Sequence, residues 1–142
     1  MQIYEWHTNT ANNYSWHSNE FVDSYYVGSM IQDVFCKIIK GELKSDVIYK
    51  DNDFWVVKDI NPQAPVHLLV IPVRHFLNID DFKNEEGLLG RAMLLADRIA
   101  HEQGLDKGYR LIVNEGDHGG KLVPHFHIHL LGGKRLGPKL IK

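Results

Sequence analysis

Residues 125–130 read His-Phe-His-Ile-His-Leu, a strict alternation of imidazole and apolar side chains. A period of two fits an extended strand, whose successive side chains point to opposite faces. Phe126, Ile128 and Leu130 then line one face, and His125, His127 and His129 the other. The apolar face predicts a buried sheet and the imidazole face a lined site. Histidine titrates nearest neutrality, so three in register can trade protons, bind an anion or attack an electrophile. A single histidine on a strand is more often structural. Three together, each with ring nitrogens to satisfy, point to chemistry.

The same spacing argues against a metal held by the run itself. Rings at i and i+2 can converge over ~6.6 Å, but the outer pair lies ~13 Å apart along a strand. Cys36 is the only cysteine and offers no set of thiolates. No required metal or other cofactor is expected.

The chain has 142 residues, enough for one domain with a sizeable core. Its net charge of −2 excludes binding by broad phosphate neutralisation, so no nucleic-acid partner is expected. No apolar stretch approaches the ~20 residues of a membrane span. The first residues carry no Lys or Arg and no apolar core of a secretory signal. A lone cysteine suits a reducing compartment. Together these predict a cytoplasmic protein with no membrane association.

Composition changes near residue 30. Residues 1–29 hold no Lys or Arg but many aromatics, and Tyr4-Glu5-Trp6-His7-Thr8-Asn9 is echoed by Tyr14-Ser15-Trp16-His17-Ser18-Asn19. Two copies do not make a repeat architecture. This segment reads as an N-terminal extension, either flexible or docked through its aromatics, with the domain over residues 30–142. Within the domain, Val34–Ile39 has helical spacing and stops near Gly41. Val47–Lys50 and Phe54–Val57 flank Asp51-Asn52-Asp53 as a hairpin. Asn61-Pro62-Gln63-Ala64-Pro65 is a rigid turn into a strand from His67 to Ile71, closed by Pro72. Glu85–Gln103 carries the stripe Leu88, Leu89, Ala92, Leu95, Ala96, Ile99 of a long helix. Tyr109–Val113 is a further strand, and Asn114–Gly120 a polar, glycine-rich loop before the histidines. The expected class is α+β, a five-stranded antiparallel sheet with one long and one short helix.

On these motifs the sequence resembles the histidine triad (HIT) family. His125, His127 and His129 match its signature, and Asp59–Pro72 looks like its second conserved segment. Asn114-Glu115-Gly116 and Leu131-Gly132-Gly133 are similar to the branch of histidine triad nucleotide-binding proteins. The resemblance implies a HIT-like fold, a homodimer, and a hydrolase acting at the α-phosphorus of purine nucleoside phosphoramidates. It implies His127 as nucleophile, forming a nucleotidyl-histidine that water resolves, with His125 and His129 contacting the phosphate and His67 close by. It implies Asp59 on the ribose hydroxyls and Val34, Phe35, Ile60 and Leu69 as the slot for the purine. By their own chemistry, Gly119 and Gly120 can bring backbone N–H groups to a phosphate and Asn114 can bond phosphate or ribose. One departure stands out: Lys121-Leu122 follows the loop where relatives often carry a polar side chain, so Leu122 offers no donor and Lys121 reads as a solvated surface lysine. The tail from Lys134 also lacks the tryptophan that some relatives carry. Two alternatives stay open, a dinucleoside polyphosphate hydrolase and a non-catalytic nucleotide-binding scaffold.

Overall fold

The structure is a computed structural model and describes residues 4–8, 14–18 and 33–139. Strands β1 (Tyr4–Thr8) and β2 (Tyr14–Ser18) pair antiparallel, with Trp6 opposite Trp16 in register. The two similar segments are therefore the two halves of one ribbon. The boundary near residue 30 and the docking of the aromatic side chains lie outside the described residues.

A short helix α1 (Val34–Ile39) follows, with Asp33 as its N-cap accepting a 2.8 Å bond from the Cys36 amide. Five strands then form one antiparallel sheet: β3 (Val47–Lys50), β4 (Phe54–Lys58), β5 (Val66–Pro72), β6 (Tyr109–Ile112) and β7 (Ile128–Gly132). Their order is β3-β4-β5-β7-β6, which places β5 and β7 side by side near the centre. The long helix α2 (Glu86–Glu102) connects β5 to β6 after a 3-10 turn at Ile79–Phe82. The predicted α+β sheet is the one observed, and its element boundaries match the expected ones within a residue or two except at β7, which begins three residues after the start of the histidine run.

Period-two alternation divides each central strand between two cores. Leu68 and Val70 of β5 and Ile128 and Leu130 of β7 face α2, packing with Phe76, Phe82, Phe126, Ala96 and Ile99. On the opposite face Leu69 and Ile71 join Phe35 of α1 and Val57 of β4. A sheet covered on both faces explains why β5 is buried almost along its whole length. His67 and His129 belong to the second face, beneath α1. Among the described residues no helix is long and apolar enough to cross a membrane.

Candidate active site

The alternation of the histidine run survives, but the run is not one strand. β7 begins at Ile128, so of the three histidines only His129 lies in the ladder, opposite Leu69 of β5. His125 and His127 lie in the irregular approach to it. The backbone there turns because Pro124 precedes it and the Phe126 amide bonds the Phe76 carbonyl at 2.6 Å instead of a ladder partner. The three rings consequently occupy three different environments.

His127 is buried against Phe35, with ring centroids 4.9 Å apart in an edge-on arrangement. Its Nδ1 lies 2.8 Å from the His125 carbonyl oxygen. A carbonyl can only accept, so Nδ1 carries the proton and Nε2 keeps its lone pair. Burial lowers the pKa of this ring to about 4; the carbonyl bond works against that, and the neighbouring His129, Lys121 and His125 charges add to it. His127 is therefore a neutral imidazole with a free nitrogen at pH 7.

His129 receives its tautomer through a relay. The Gln63 amide donates to His67 Nδ1 at 3.0 Å, which assigns the His67 proton to Nε2. That Nε2 lies 2.9 Å from His129 Nδ1 and 3.3 Å from Asp59 Oδ2. With His129 Nδ1 accepting, its own proton sits on Nε2 as a donor for an anion. Burial, then the His67 charge, pull the His129 pKa down, and Asp59 opposes them. Asp59 thus contacts the histidine relay directly, while its Oδ1 accepts from the Asn61 amide at 2.8 Å.

His125 sits apart from both. It is fully buried, and its Nε2 lies 2.9 Å from the Pro72 carbonyl. Its Nδ1 faces Asp33 Oδ2 at 3.3 Å and Cys36 Sγ at 3.5 Å. With both nitrogens engaged inside the protein, this ring is not placed to touch a phosphate. The expected phosphate contact at His125 is corrected to a supporting role, offered through the backbone carbonyl that orients His127.

Around His125 the structure gathers residues that the sequence reading did not select. His75 Nδ1 lies 3.2 Å from Asp33 Oδ2 and 3.5 Å from Cys36 Sγ. Burial pushes the Asp33 carboxyl up, but bonds from His125, His75 and the Cys36 amide outweigh it and hold it well below the usual carboxylate range. Burial, and then Asp33, push the Cys36 thiol up to about 12. The available signal was Asp33 and Cys36 at a separation of three on one helical turn; nothing in the spacing tied them to His75 or His125.

The nucleoside-slot residues divide. Phe35 and Leu69 are buried together, whereas Val34 is 39 % exposed and Ile60 88 %. In the loop, a side chain at Gly119 would meet the Glu115 carbonyl oxygen at 2.1 Å, and Gly120 has a φ of +78°, so both positions need glycine. The Gly120 amide bonds the Asp117 carbonyl at 2.9 Å, which corrects its expected use as a phosphate donor. Asn114, at the start of the loop, is half-buried.

Lys121 is a further correction. Its side chain is buried, not solvated: Nζ donates to the Leu77 carbonyl and to Asn78 Oδ1, and lies 3.6 Å from Glu115 Oε1. Burial lowers the Lys121 pKa and raises that of Glu115, and each charge offsets the other's cost. The pair fastens the glycine loop to the segment after β5. Leu122 beside it projects into solvent.

Residues 40–136 match the HIT domain. A purine nucleoside phosphoramidase from Escherichia coli strain K12 is 45 % identical over 111 residues, covering 77 % of this chain and 93 % of that protein. A HIT family hydrolase structure from Clostridium thermocellum is 45 % identical, with a TM-score of 0.74 over 78 % of this chain and 97 % of its own. The structure of a zinc-bound histidine triad family protein from Mycobacterium smegmatis is 32 % identical, with a TM-score of 0.65 over 79 % of this chain and 81 % of its own.

Proposed function

We propose that this chain, which belongs to the HIT domain family, is a hydrolase of purine nucleoside phosphoramidates or related α-phosphorus bonds. The observation that carries the reading is His127: Nδ1–H committed to the His125 carbonyl at 2.8 Å, Nε2 left with its lone pair. In the proposed reaction that lone pair attacks the α-phosphorus, the bond to the leaving amine breaks, and a nucleotidyl-histidine forms. The amine leaves with a proton supplied from the site or solvent. Water then attacks the same phosphorus, releasing the nucleoside monophosphate and restoring His127.

The other roles extend the same reading. His129 Nε2–H faces the developing negative charge, with its proton placed by the Gln63–His67 relay. Asn114 and the Gly119 amide supply further donors from a loop held by Lys121. Asp59 is assigned to the ribose and Val34, Phe35, Ile60 and Leu69 to the base. The phosphoramidase from E. coli supports the choice of leaving group. The proposal places the catalytic domain at residues 30–142 and includes a homodimer, because β6 is a sheet edge and Leu94 on α2 is exposed. The free Cys36 thiol suits a cytoplasmic setting.

Mass spectrometry of the intact protein, quenched during turnover of a nucleoside phosphoramidate, tests the reaction. The expected result is a transient gain of one nucleotidyl group. Turnover without any adduct would overturn the covalent route. No turnover and no adduct, with nucleotide still bound, would favour the scaffold.

The lowered pKa of His127 fixes the pH dependence. The free enzyme keeps this ring neutral down to about pH 4, so kcat/KM should stay level through mildly acid solution and fall as pH drops through that value. An acid limb centred near the ordinary value of 6.5 would contradict this. Stability moves in the matching direction. As pH falls from 6.5 toward 4 the unfolded chain binds a proton that the folded one refuses, so stability decreases over that window.

A further inference from the structure

The connection from α2 into β6, residues 104–110, and the segment leaving β7, residues 133–137, form the walls of one cavity of about 940 Å³. Its charged lining is one-sided. Lys107, Arg110, Lys134 and Arg135 stand against the carboxylate of Asp106, in a chain whose net charge is −2. We propose that this cavity binds a small oligophosphate, at a site separate from the catalytic histidines.

The cations are free for an external partner. Asp106 is engaged by His101, whose Nδ1 lies 2.7 Å from its Oδ1. Among the described residues, none of Lys107, Arg110, Lys134 and Arg135 forms an ion pair. The arginines show the contrast most clearly. Arg74, Arg91 and Arg98 each hold a carboxylate. The other two arginines of the chain, Arg110 and Arg135, both line this cavity. Arg110 is also held in place: it is half-buried, and its Nη2 donates to the Gly137 carbonyl at 2.6 Å. Gly137 has a φ of +80°, a conformation that costs glycine little. That bond ties one wall to the other. The guanidinium keeps further N–H donors in a fixed fork, a geometry that phosphate oxygens accept in pairs. Cations gathered without a counter-charge repel one another, and an anion among them removes that cost.

Shape narrows the ligand class. A concave space of this volume suits a small molecule, whereas a nucleic-acid strand needs an extended basic stripe. Linked phosphates carry several charges within a short length and so match a group of cations better than one carboxylate does. None of Asp59, His67, His125, His127 and His129 lines the cavity. His129 stands roughly 13 Å along the chain direction of β7 from Gly133. The site goes beyond the proposed activity and does not depend on it.

The test titrates inorganic tripolyphosphate into the full chain, in its native oligomeric state, and follows backbone amides by two-dimensional NMR. Saturable shifts are expected at residues 104–110 and 133–137. Affinity should fall at least about tenfold when Lys134→Glu and Arg135→Glu are combined, and also in Lys107→Glu, which acts from the opposite wall and leaves the tail intact. It should fall about tenfold again between ~0.05 and ~0.3 M salt. Inorganic phosphate, with less charge, should bind at least about tenfold more weakly than tripolyphosphate. A nucleoside triphosphate identifies the source of the ligand. Tighter binding at the same amides assigns the site to a nucleotide, and equal or weaker binding there assigns it to the phosphate chain alone. Absence of saturable shifts at these walls, shifts confined to residues 114–129, or unchanged affinity in both variants would overturn the proposal.

Discussion

Replacing His127 with alanine should cut turnover of a nucleoside phosphoramidate by roughly 10⁴–10⁶-fold, the scale on which removal of a nucleophile acts. Nucleotide affinity should stay within about tenfold, because binding of base and ribose is assigned to other residues. The nucleotidyl adduct should vanish with the turnover. Single-turnover kinetics with the adduct followed by mass spectrometry separates these effects. Comparable rates in wild type and variant would remove His127 from the mechanism. The two flanking histidines should differ from it and from each other. His129→Ala removes a donor to the charged intermediate and should cost kcat by a smaller factor, on the order of 10²–10³, leaving the nucleophile in place. His125→Ala acts on the fold around Asp33, so its first signature should be a lower Tm, with lost rate as a consequence.

That division among three adjacent histidines marks how far the sequence could be read. Alternation correctly sorted Phe126, Ile128 and Leu130 from the imidazoles, because burial of one face is a property of period two that needs no other element. The helix stripe over Leu88–Ile99 and the strands around Asp51-Asn52-Asp53 were legible for the same reason: local periodicity and turn chemistry decide them. Ladder membership was not legible. Whether His125 and His127 join β7 depends on where Phe126 finds its backbone partner, and that partner, Phe76, is supplied by a distant turn. The cluster of Asp33, Cys36, His75 and His125 was hidden in the same way, since its members meet only after α1 and the segment beyond β5 are packed. Lys121 shows the limit for charged residues. Composition places a lysine in solvent, and only the acceptors at Leu77, Asn78 and Glu115 make its burial tolerable.

The packing behind the histidines is where the largest loss of stability is expected. Phe126 is 1 % exposed and meets Phe82 edge-on at 4.9 Å, while Phe82 stacks on Phe76 at 3.9 Å. Truncating such a side chain removes its transfer free energy and leaves a cavity between three elements that cannot all close on it. Phe126→Ala should therefore destabilise the domain by about 3–5 kcal/mol, lowering Tm by roughly 10–20 °C. Denaturant unfolding with an unchanged m-value would identify this as a loss of native packing. Leu122→Ala, four residues earlier but 94 % exposed, should stay within about 0.5 kcal/mol of wild type. A loss below about 1 kcal/mol for Phe126→Ala would contradict its place in the core. The site should register the change as well. Phe126 sits between His125 and His127 in the chain, so its packing fixes the backbone that carries both rings. Relaxation there would loosen the contact from His127 Nδ1 to the His125 carbonyl. The fraction of His127 in the attacking tautomer should then fall, and kcat with it, at temperatures where the variant is still fully folded.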